Sequence, residues 1–178
     1  MNFLREIIAD KNFTANKHFN VKGVINGQSR GELSSLKLGL FPLAYNGCGA
    51  LALYNLANLL GVESTLPEII YYCDKNSTVL FGLFGNRPKK LTNFFLTRGF
   101  SVKRAKNIQK GEYALVTYFC KGLFSGMHIV AVKENNGLNI YNMYGNVDKT
   151  YNFKDLNAFM NAVGGHISSI YIIGKEVE

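Results

Sequence analysis

A cysteine between two glycines is the residue of this sequence whose type and position most directly suggest chemistry. Cys48 lies in the stretch YNGCGALALYNLANLLG, residues 45–61, where nearly every position after Gly49 is apolar and Gly61 stands at the place of a C-cap glycine. The pattern predicts a buried helix that begins at the cysteine. Because a helix N-terminus favours a thiolate, Cys48 is a candidate nucleophile. Gly47 and Gly49 would let a carbonyl group approach the backbone, where the N–H of Cys48 is a candidate oxyanion donor.

A cysteine nucleophile needs a neighbouring base, and His128 is the candidate among three histidines. The other two lie in a polar N-terminal segment and beside a Gly-Gly pair. His128 begins the predicted strand MHIVAVKE, residues 127–134, in which His128, Val130 and Val132 alternate onto one face. We expect this face to cover the central helix.

The hairpin after His128 brings asparagines towards it. If the loop is NNG, residues 135–137, the register places His128 opposite Tyr144. Asn142 and Asn146 are then its diagonal neighbours, at about 7–8 Å between backbones. Either side chain could orient the imidazole and fix its tautomer, so the spacing predicts a Cys–His–Asn arrangement.

The motifs NGCGALALYNLANLLG and MHIVAVKENNGLNIYNMYGN, some 80 residues apart, together resemble the papain-like cysteine peptidase superfamily. Within it they are most similar to the C39-like peptidases, which include the leader-peptide-cleaving domains of bacteriocin exporters. The resemblance covers roughly residues 40–175. It implies that Cys48 is the nucleophile, His128 the general base and Asn142 the orienting residue, whereas Asn146 matches the family spacing less closely.

The sequence departs from the family at the second oxyanion donor. The family usually has a glutamine six residues before the nucleophile, and Pro42 occupies that position here. Proline offers neither a side-chain amide nor a backbone N–H. Asn46 and Gln28 are candidate replacements, although the spacing supports neither. Because one oxyanion donor contributes on the order of 10²–10³ in rate, the departure bears on efficiency more than on fold. The proline that usually follows the orienting residue is also absent, and Met143 stands there.

The order of predicted elements, helices first and strands afterwards, indicates an α+β fold. We expect one domain over residues 1–178 with the papain-like architecture: N-terminal helices, among them the central helix starting at Cys48, packed on a mostly antiparallel sheet. Within residues 1–40 we expect a short amphipathic helix over 1–9, carrying Phe3, Leu4, Ile7 and Ile8, and then an extended surface segment. Further helices are predicted over 65–74, 88–98 and 156–163, and strands over 113–119, 127–134, 138–144 and 167–173.

Three smaller features complete the prediction. Thr65 and Glu68 form a capping-box pattern ahead of a helix whose inner face includes Cys73, so Cys73 is assigned to packing, as is Cys120. The loop TVLFGLFGN, residues 78–86, has two interpretations: a core loop, or a substrate-facing wall beside a cleft.

Composition limits the partners. Lys and Arg exceed Asp and Glu by 20 to 12, but the basic residues are scattered and no nucleic-acid-binding motif accompanies them. Three cysteines of unrelated spacing indicate free thiols in a reducing compartment. No apolar run suits a secretory signal or a membrane span. We therefore expect a cytoplasmic protein that inserts into no membrane, binds no nucleic acid and uses no metal or organic cofactor.

The function predicted from the sequence is that of a C39-like cysteine peptidase acting on a peptide or protein through Cys48, His128 and Asn142. Two alternatives stay open at this point. One is a thiol acyltransferase with the same three residues, because only the group that resolves the acyl-enzyme differs. The other is a catalytically weak peptide-binding domain that lacks the usual glutamine. The sequence does not determine the oligomeric state.

Overall fold

The computed structural model describes residues 2–121 and 126–175 and has the α+β architecture that the sequence predicts. Its helices are α1 (Asn2–Asn16), α2 (Leu43–Asn46), α3 (Cys48–Leu59), α4 (Leu66–Asn76), α5 (Pro88–Leu96) and α6 (Leu156–Val163), with short 3-10 helices at Gly31–Ser35 and Leu80–Gly82. Its strands are β1 (Lys37–Leu38), β2 (Phe41–Pro42), β3 (Phe100–Ala105), β4 (Tyr113–Phe119), β5 (Met127–Glu134), β6 (Leu138–Tyr141), β7 (Tyr151–Phe153) and β8 (His166–Lys175). Over these described residues, no helix has the length and apolar character needed to cross a membrane.

A six-stranded antiparallel sheet forms the centre of the fold, in the order β3-β8-β4-β5-β6-β7. One face packs against α3 and α5, with α4 packed on these two helices, and α6 packs on the other face. Helix α3 is buried along nearly its whole length, because its own apolar side chains project on all sides, as the sequence predicts. The sheet and this helix therefore fix the position of Cys48, the first residue of α3.

The faces of β5 are reversed relative to the prediction. Ile129 and Ala131 pack towards α3, whereas Val130 and Val132 belong to the core on the α6 side. The expectation that the row of His128, Val130 and Val132 covers the central helix is therefore wrong. The strand is buried on both faces, so its near-continuous apolar run carries no polar row that would distinguish one face from the other.

The hairpin register agrees with a loop at 135–137, because Glu134 pairs with Leu138. The ladder ends earlier than predicted, at the pair Ala131–Tyr141, and β6 does not reach Tyr144. The expected pairing of His128 with Tyr144 is therefore wrong. Asn142 has a φ of 59°, in the left-handed region, which turns the chain away from the strand direction.

Local signals predict α4, α5 and α6 well. Both hydrogen bonds of the capping box between Thr65 and Glu68 are present at the start of α4. The predicted inner residues of α4 and α5 are buried: Leu66, Ile69, Ile70, Cys73, Leu91, Phe94 and Phe95. Helix α6 has the predicted bounds, but edge strand β3 was not predicted, because two adjacent exposed cations, Lys103 and Arg104, interrupt its alternation of half-buried and exposed residues.

The N-terminal region differs most from the prediction. Helix α1 continues to Asn16 instead of ending near residue 9, and Phe3, Leu4 and Ile7 on it are exposed. The helix packs through Ala9 and through polar residues whose side-chain amides bond to backbone groups. For example, Asn16 Nδ2 donates to the carbonyl of Lys37 at 2.8 Å, and Asn16 Oδ1 accepts from the N–H of Lys37 at 2.9 Å. Apolar periodicity could not reveal a buried face that is largely polar.

The segment after α1 is not the surface segment that was expected. Ile25, Gly27 and Gln28 are buried, and Ile25 belongs to the core on the helical side of the sheet. Asparagine side chains hydrogen-bond to the backbone groups of this segment, as Asn55 does to the N–H and carbonyl of Ile25. A segment without apolar periodicity can therefore be buried although it joins no strand.

A buried carboxylate, Asp74 at the end of α4, joins this helix to α1 and to the β1–β2 turn. It accepts hydrogen bonds from Asn12 Nδ2 at 2.7 Å and from the backbone N–H of Gly39 at 2.6 Å. Arg5 lies nearby and donates to the backbone oxygen of Asp74 at 3.3 Å. Burial raises the pKa of Asp74 to about 6, although the hydrogen bonds and Arg5 oppose the rise.

Asp74 is expected to make folding stability depend on pH. Its folded pKa of about 6 lies above its ordinary value of 3.8, so the folded state binds the proton more tightly. This contribution to stability is fully present below about pH 4 and is lost as the pH rises through about 6. Urea unfolding at successive pH values should show the wild-type free energy of unfolding falling, relative to Asp74→Asn, by on the order of 3 kcal/mol across this range. Parallel curves for the two proteins would contradict the assignment.

Candidate active site

Cys48 begins α3 and is nearly enclosed, with 8% of its surface exposed. Burial by itself raises the pKa of the thiol. The nearby His128 ring and the backbone N–H groups of Ile129 and Gly49 outweigh burial and lower the pKa of Cys48 below its ordinary value. The surroundings of Cys48 therefore favour a thiolate.

His128 receives the complementary shift. Burial lowers its pKa, but the Cys48 thiolate and the carbonyl of Asn142 outweigh burial and raise the pKa above the ordinary value. The ring Nε2 lies 2.8 Å from the backbone oxygen of Asn142. A carbonyl oxygen only accepts hydrogen bonds, so Nε2 carries a proton, and in neutral imidazole Nδ1 is then the basic nitrogen. Tyr118, the cross-strand neighbour on β4, holds the ring edge-on at 5.6 Å between centroids.

Asn142 lies where the sequence suggests, beside His128, but it contacts the ring through its backbone carbonyl instead of its side-chain amide. The side chain points elsewhere, because Oδ1 accepts from the N–H of Gly27 at 3.0 Å. Asn146, the other candidate, is exposed. The left-handed conformation of Asn142 turns its carbonyl towards the ring, and hairpin spacing could not predict that turn.

The residues flanking Cys48 have packing roles. A Cβ on Gly47 would lie 2.4 Å from the carbonyl oxygen of Leu43, and one on Gly49 would lie 2.7 Å from Oδ1 of Asn86. The Asn46 amide donates to the carbonyls of Gly82 and Leu83, which occupies both of its N–H bonds. Neighbouring protein atoms thus fill the space next to both glycines, and neighbouring carbonyls accept both N–H groups of the Asn46 amide.

An open cleft of about 410 Å³ leads to Cys48. Leu83, Phe84 and Gly85 line one part of it, and Met127 and Ile129 line another. Of the two interpretations of loop 78–86, the wall beside a cleft therefore agrees with the structure.

Strained backbone shapes this wall. Leu80 and Phe81 have φ values of 44° and 55°, which non-glycine residues seldom adopt. The carbonyl of Phe81 accepts from the N–H of Leu40 at 2.9 Å, and a Cβ on Gly39 would lie 1.9 Å from that carbonyl. The close approach of the β1–β2 turn therefore requires glycine at position 39.

Asn86 is a cleft residue that sequence reasoning missed. It is almost fully buried and donates from Nδ2 to Ser77 Oγ at 2.8 Å. Its Oδ1 lies against Gly49 and has no hydrogen-bond partner among the described residues. An asparagine in an aperiodic loop gives no sequence signal, because what distinguishes Asn86 is its contact with the helix that carries Cys48.

No cluster of three or more His, Cys, Asp or Glu side chains that could hold a metal ion occurs within residues 2–121 and 126–175. The residues that meet at Cys48 are a thiol, an imidazole and backbone amides. Such a set can perform nucleophilic and general acid–base chemistry with its own groups.

Comparison with known proteins gives a structural match. No family model matches the sequence, and no curated protein matches it significantly. Among solved structures, the fold is similar to the peptidase domain of Streptococcus ComA, described as a bi-functional ABC transporter involved in a quorum-sensing pathway. The match has a TM-score of 0.50 at 12% sequence identity and covers 86% of this chain and 98% of that one. The chain shares the fold of that peptidase domain. The predicted α+β class and architecture are thereby confirmed, and at this identity the likeness concerns the fold alone.

Selective alkylation should identify Cys48 as the activated thiol. At pH 6 an ordinary cysteine is less than about 1% thiolate. Burial raises the pKa of Cys73 and Cys120, whereas that of Cys48 is lowered. Limiting iodoacetamide at pH 6, followed by peptide mapping, should label Cys48 first, and His128→Ala should slow this labelling by at least about tenfold. Equal labelling of the half-buried Cys120 and of Cys48 would contradict the assignment.

Proposed function

We propose that this protein is a C39-like cysteine peptidase with Cys48 as nucleophile, His128 as general base and acid, and Asn142 as the residue that orients His128. The observation that carries the proposal is the position of Cys48 at the N-terminus of α3, beside an open cleft, with the His128 ring close enough for each group to shift the pKa of the other. The opposite pKa shifts of the two groups support a thiolate–imidazolium pair.

In the proposed reaction the Cys48 thiolate attacks the carbonyl carbon of a peptide bond in the cleft. The imidazolium of His128 donates a proton to the departing amine, and an acyl-enzyme remains on Cys48. Neutral His128 then takes a proton from water as the water attacks the thioester. Collapse of that intermediate breaks the C–S bond and releases the carboxylic acid, which restores the Cys48 thiolate beside the imidazolium formed in the preceding step. The Asn142 carbonyl keeps the ring oriented through these steps.

The oxyanion would be stabilised by the backbone N–H of Cys48 at the start of α3. Pro42 supplies no donor, and Asn46 has both N–H bonds engaged with the loop. This observation favours a second candidate function, a slow or inactive domain that binds a peptide in the same cleft. An acyltransferase remains the outcome in which an amine, instead of water, resolves the acyl-enzyme.

A reducing compartment suits this proposal. All three cysteines are unpaired, and a thiol nucleophile must stay reduced to react. We propose that the protein acts in the cytoplasm.

Digestion of a peptide library, analysed by mass spectrometry, tests the proposed function. We expect cleavage that Cys48→Ala abolishes and that His128→Ala lowers by roughly 10²–10⁴. Cys73→Ala is the matched control, because it removes a thiol whose pKa burial raises. Products that carry an added amine when a primary amine is present would identify an acyltransferase. Peptides that bind wild type and Cys48→Ala equally, without any turnover, would identify a binding domain and refute the peptidase.

A further inference from the structure

The ring of His128 is held by a backbone carbonyl, so its orientation depends on the backbone conformation of Asn142. That conformation is not maintained by the sheet. The ladder between β5 and β6 ends at Tyr141, and Asn142 then adopts a φ of 59°. Even for asparagine this region is less favourable than the β region, so other contacts must stabilise it.

Those contacts come from a distant part of the chain, residues 26–28. The backbone N–H of Asn142 donates to Asn26 Oδ1 at 2.7 Å. Its side-chain Oδ1 accepts from the N–H groups of Gly27 and Gln28, at 3.0 and 3.3 Å, and its Nδ2 donates to Gln28 Oε1 at 3.1 Å. Because Asn142 is fully buried, these bonds take the place of water.

The same segment is attached to the helix that carries Cys48. Asn55, in the middle of α3, bonds to both backbone groups of Ile25, at 2.7 and 2.8 Å. The Gln28 amide donates to the carbonyl of Ala44, in the short helix before Cys48, at 3.2 Å. Residues 25–28 therefore bridge the helix of the nucleophile and the residue that supports the base.

We propose that Asn26 and Gln28 are positioning residues of the active site, which hold the Asn142 carbonyl against His128 and thereby keep the imidazole aligned with Cys48. The inference rests on the proposed function in taking Cys48 and His128 as the reacting pair. It adds a part of the chain that no motif includes and explains why the Asn142 side chain points away from the ring it supports.

The pH profile of Cys48 alkylation by iodoacetamide tests this inference on the full chain. Gln28→Met keeps the length of the side chain but removes its amide bonds to Asn142 and Ala44. A looser imidazolium stabilises the thiolate less, so the midpoint of the acid limb should move to higher pH. Each unit of that movement means about tenfold slower labelling on the acid side. Burial raises the pKa of the nearby Tyr118 and Cys120, so neither contributes charge in this range.

Two controls separate positioning from general stability. Asn16→Ala removes a similar buried amide, which bonds to the backbone N–H and carbonyl of Lys37 and not to residues 25–28 or Asn142. It should lower the melting temperature and leave the alkylation midpoint in place. Ser29 is next to Gln28, but its hydroxyl makes only an exposed hydrogen bond, to the carbonyl of Ala44. Ser29→Ala should therefore change neither the melting temperature nor the alkylation midpoint.

A second pair of variants covers the case in which Gln28→Met fails to fold. Asn26→Ala removes the acceptor for the Asn142 N–H and should shift the midpoint upwards. Asn26→Ser keeps a neutral acceptor oxygen and should shift the midpoint less than Asn26→Ala does. An unchanged midpoint in both Gln28→Met and Asn26→Ala would overturn the inference. If the wild type cleaves no peptide but the midpoint shifts as expected, the proposed peptidase fails and the positioning role is supported.

Discussion

The site depends on one interaction, the electrostatic attraction between a thiol at the start of α3 and an imidazole at the start of β5. Burial opposes charge on both groups, and each overcomes that cost because the other carries the opposite charge nearby and because backbone groups hydrogen-bond to it. Such a pair tolerates little displacement, since the favourable term falls off with distance whereas the desolvation cost remains. The packing of α3 against Ile129 and Ala131 of β5 is therefore also what sets the charge state of Cys48.

Buried polar side chains add to this apolar packing in maintaining the alignment. Asn55 and Asn142 bond to the backbone of the N-terminal segment, and Asn12 with Asp74 holds the β1–β2 turn. Buried amides of this kind specify one arrangement, because any other leaves a donor or acceptor unpaired. The β1–β2 turn contacts the carbonyl of Phe81 in the cleft wall, so the wall and the reacting pair belong to one connected framework.

The main failures of the sequence prediction have two physical origins. Periodicity identifies an element whose buried face is apolar, as in α4, α5 and α6, and these were predicted well. It fails where burial is polar, as in α1 and residues 25–28, whose buried amides look like surface residues in a sequence. It also fails where both faces are apolar, as in β5, because alternation then carries no contrast.

The sequence by itself determined the fold class, the buried helix beginning at Cys48 and the hairpin that follows His128, because capping signals, apolar periodicity and turn residues are local properties of the chain. Only the tertiary structure decided that Asn142 meets His128 through a carbonyl and that Asn86 lies on Gly49. The same holds for the bridge from residues 25–28 to both halves of the site. Each of these depends on a contact between parts of the chain far apart in sequence, and on a backbone turn that no residue spacing encodes.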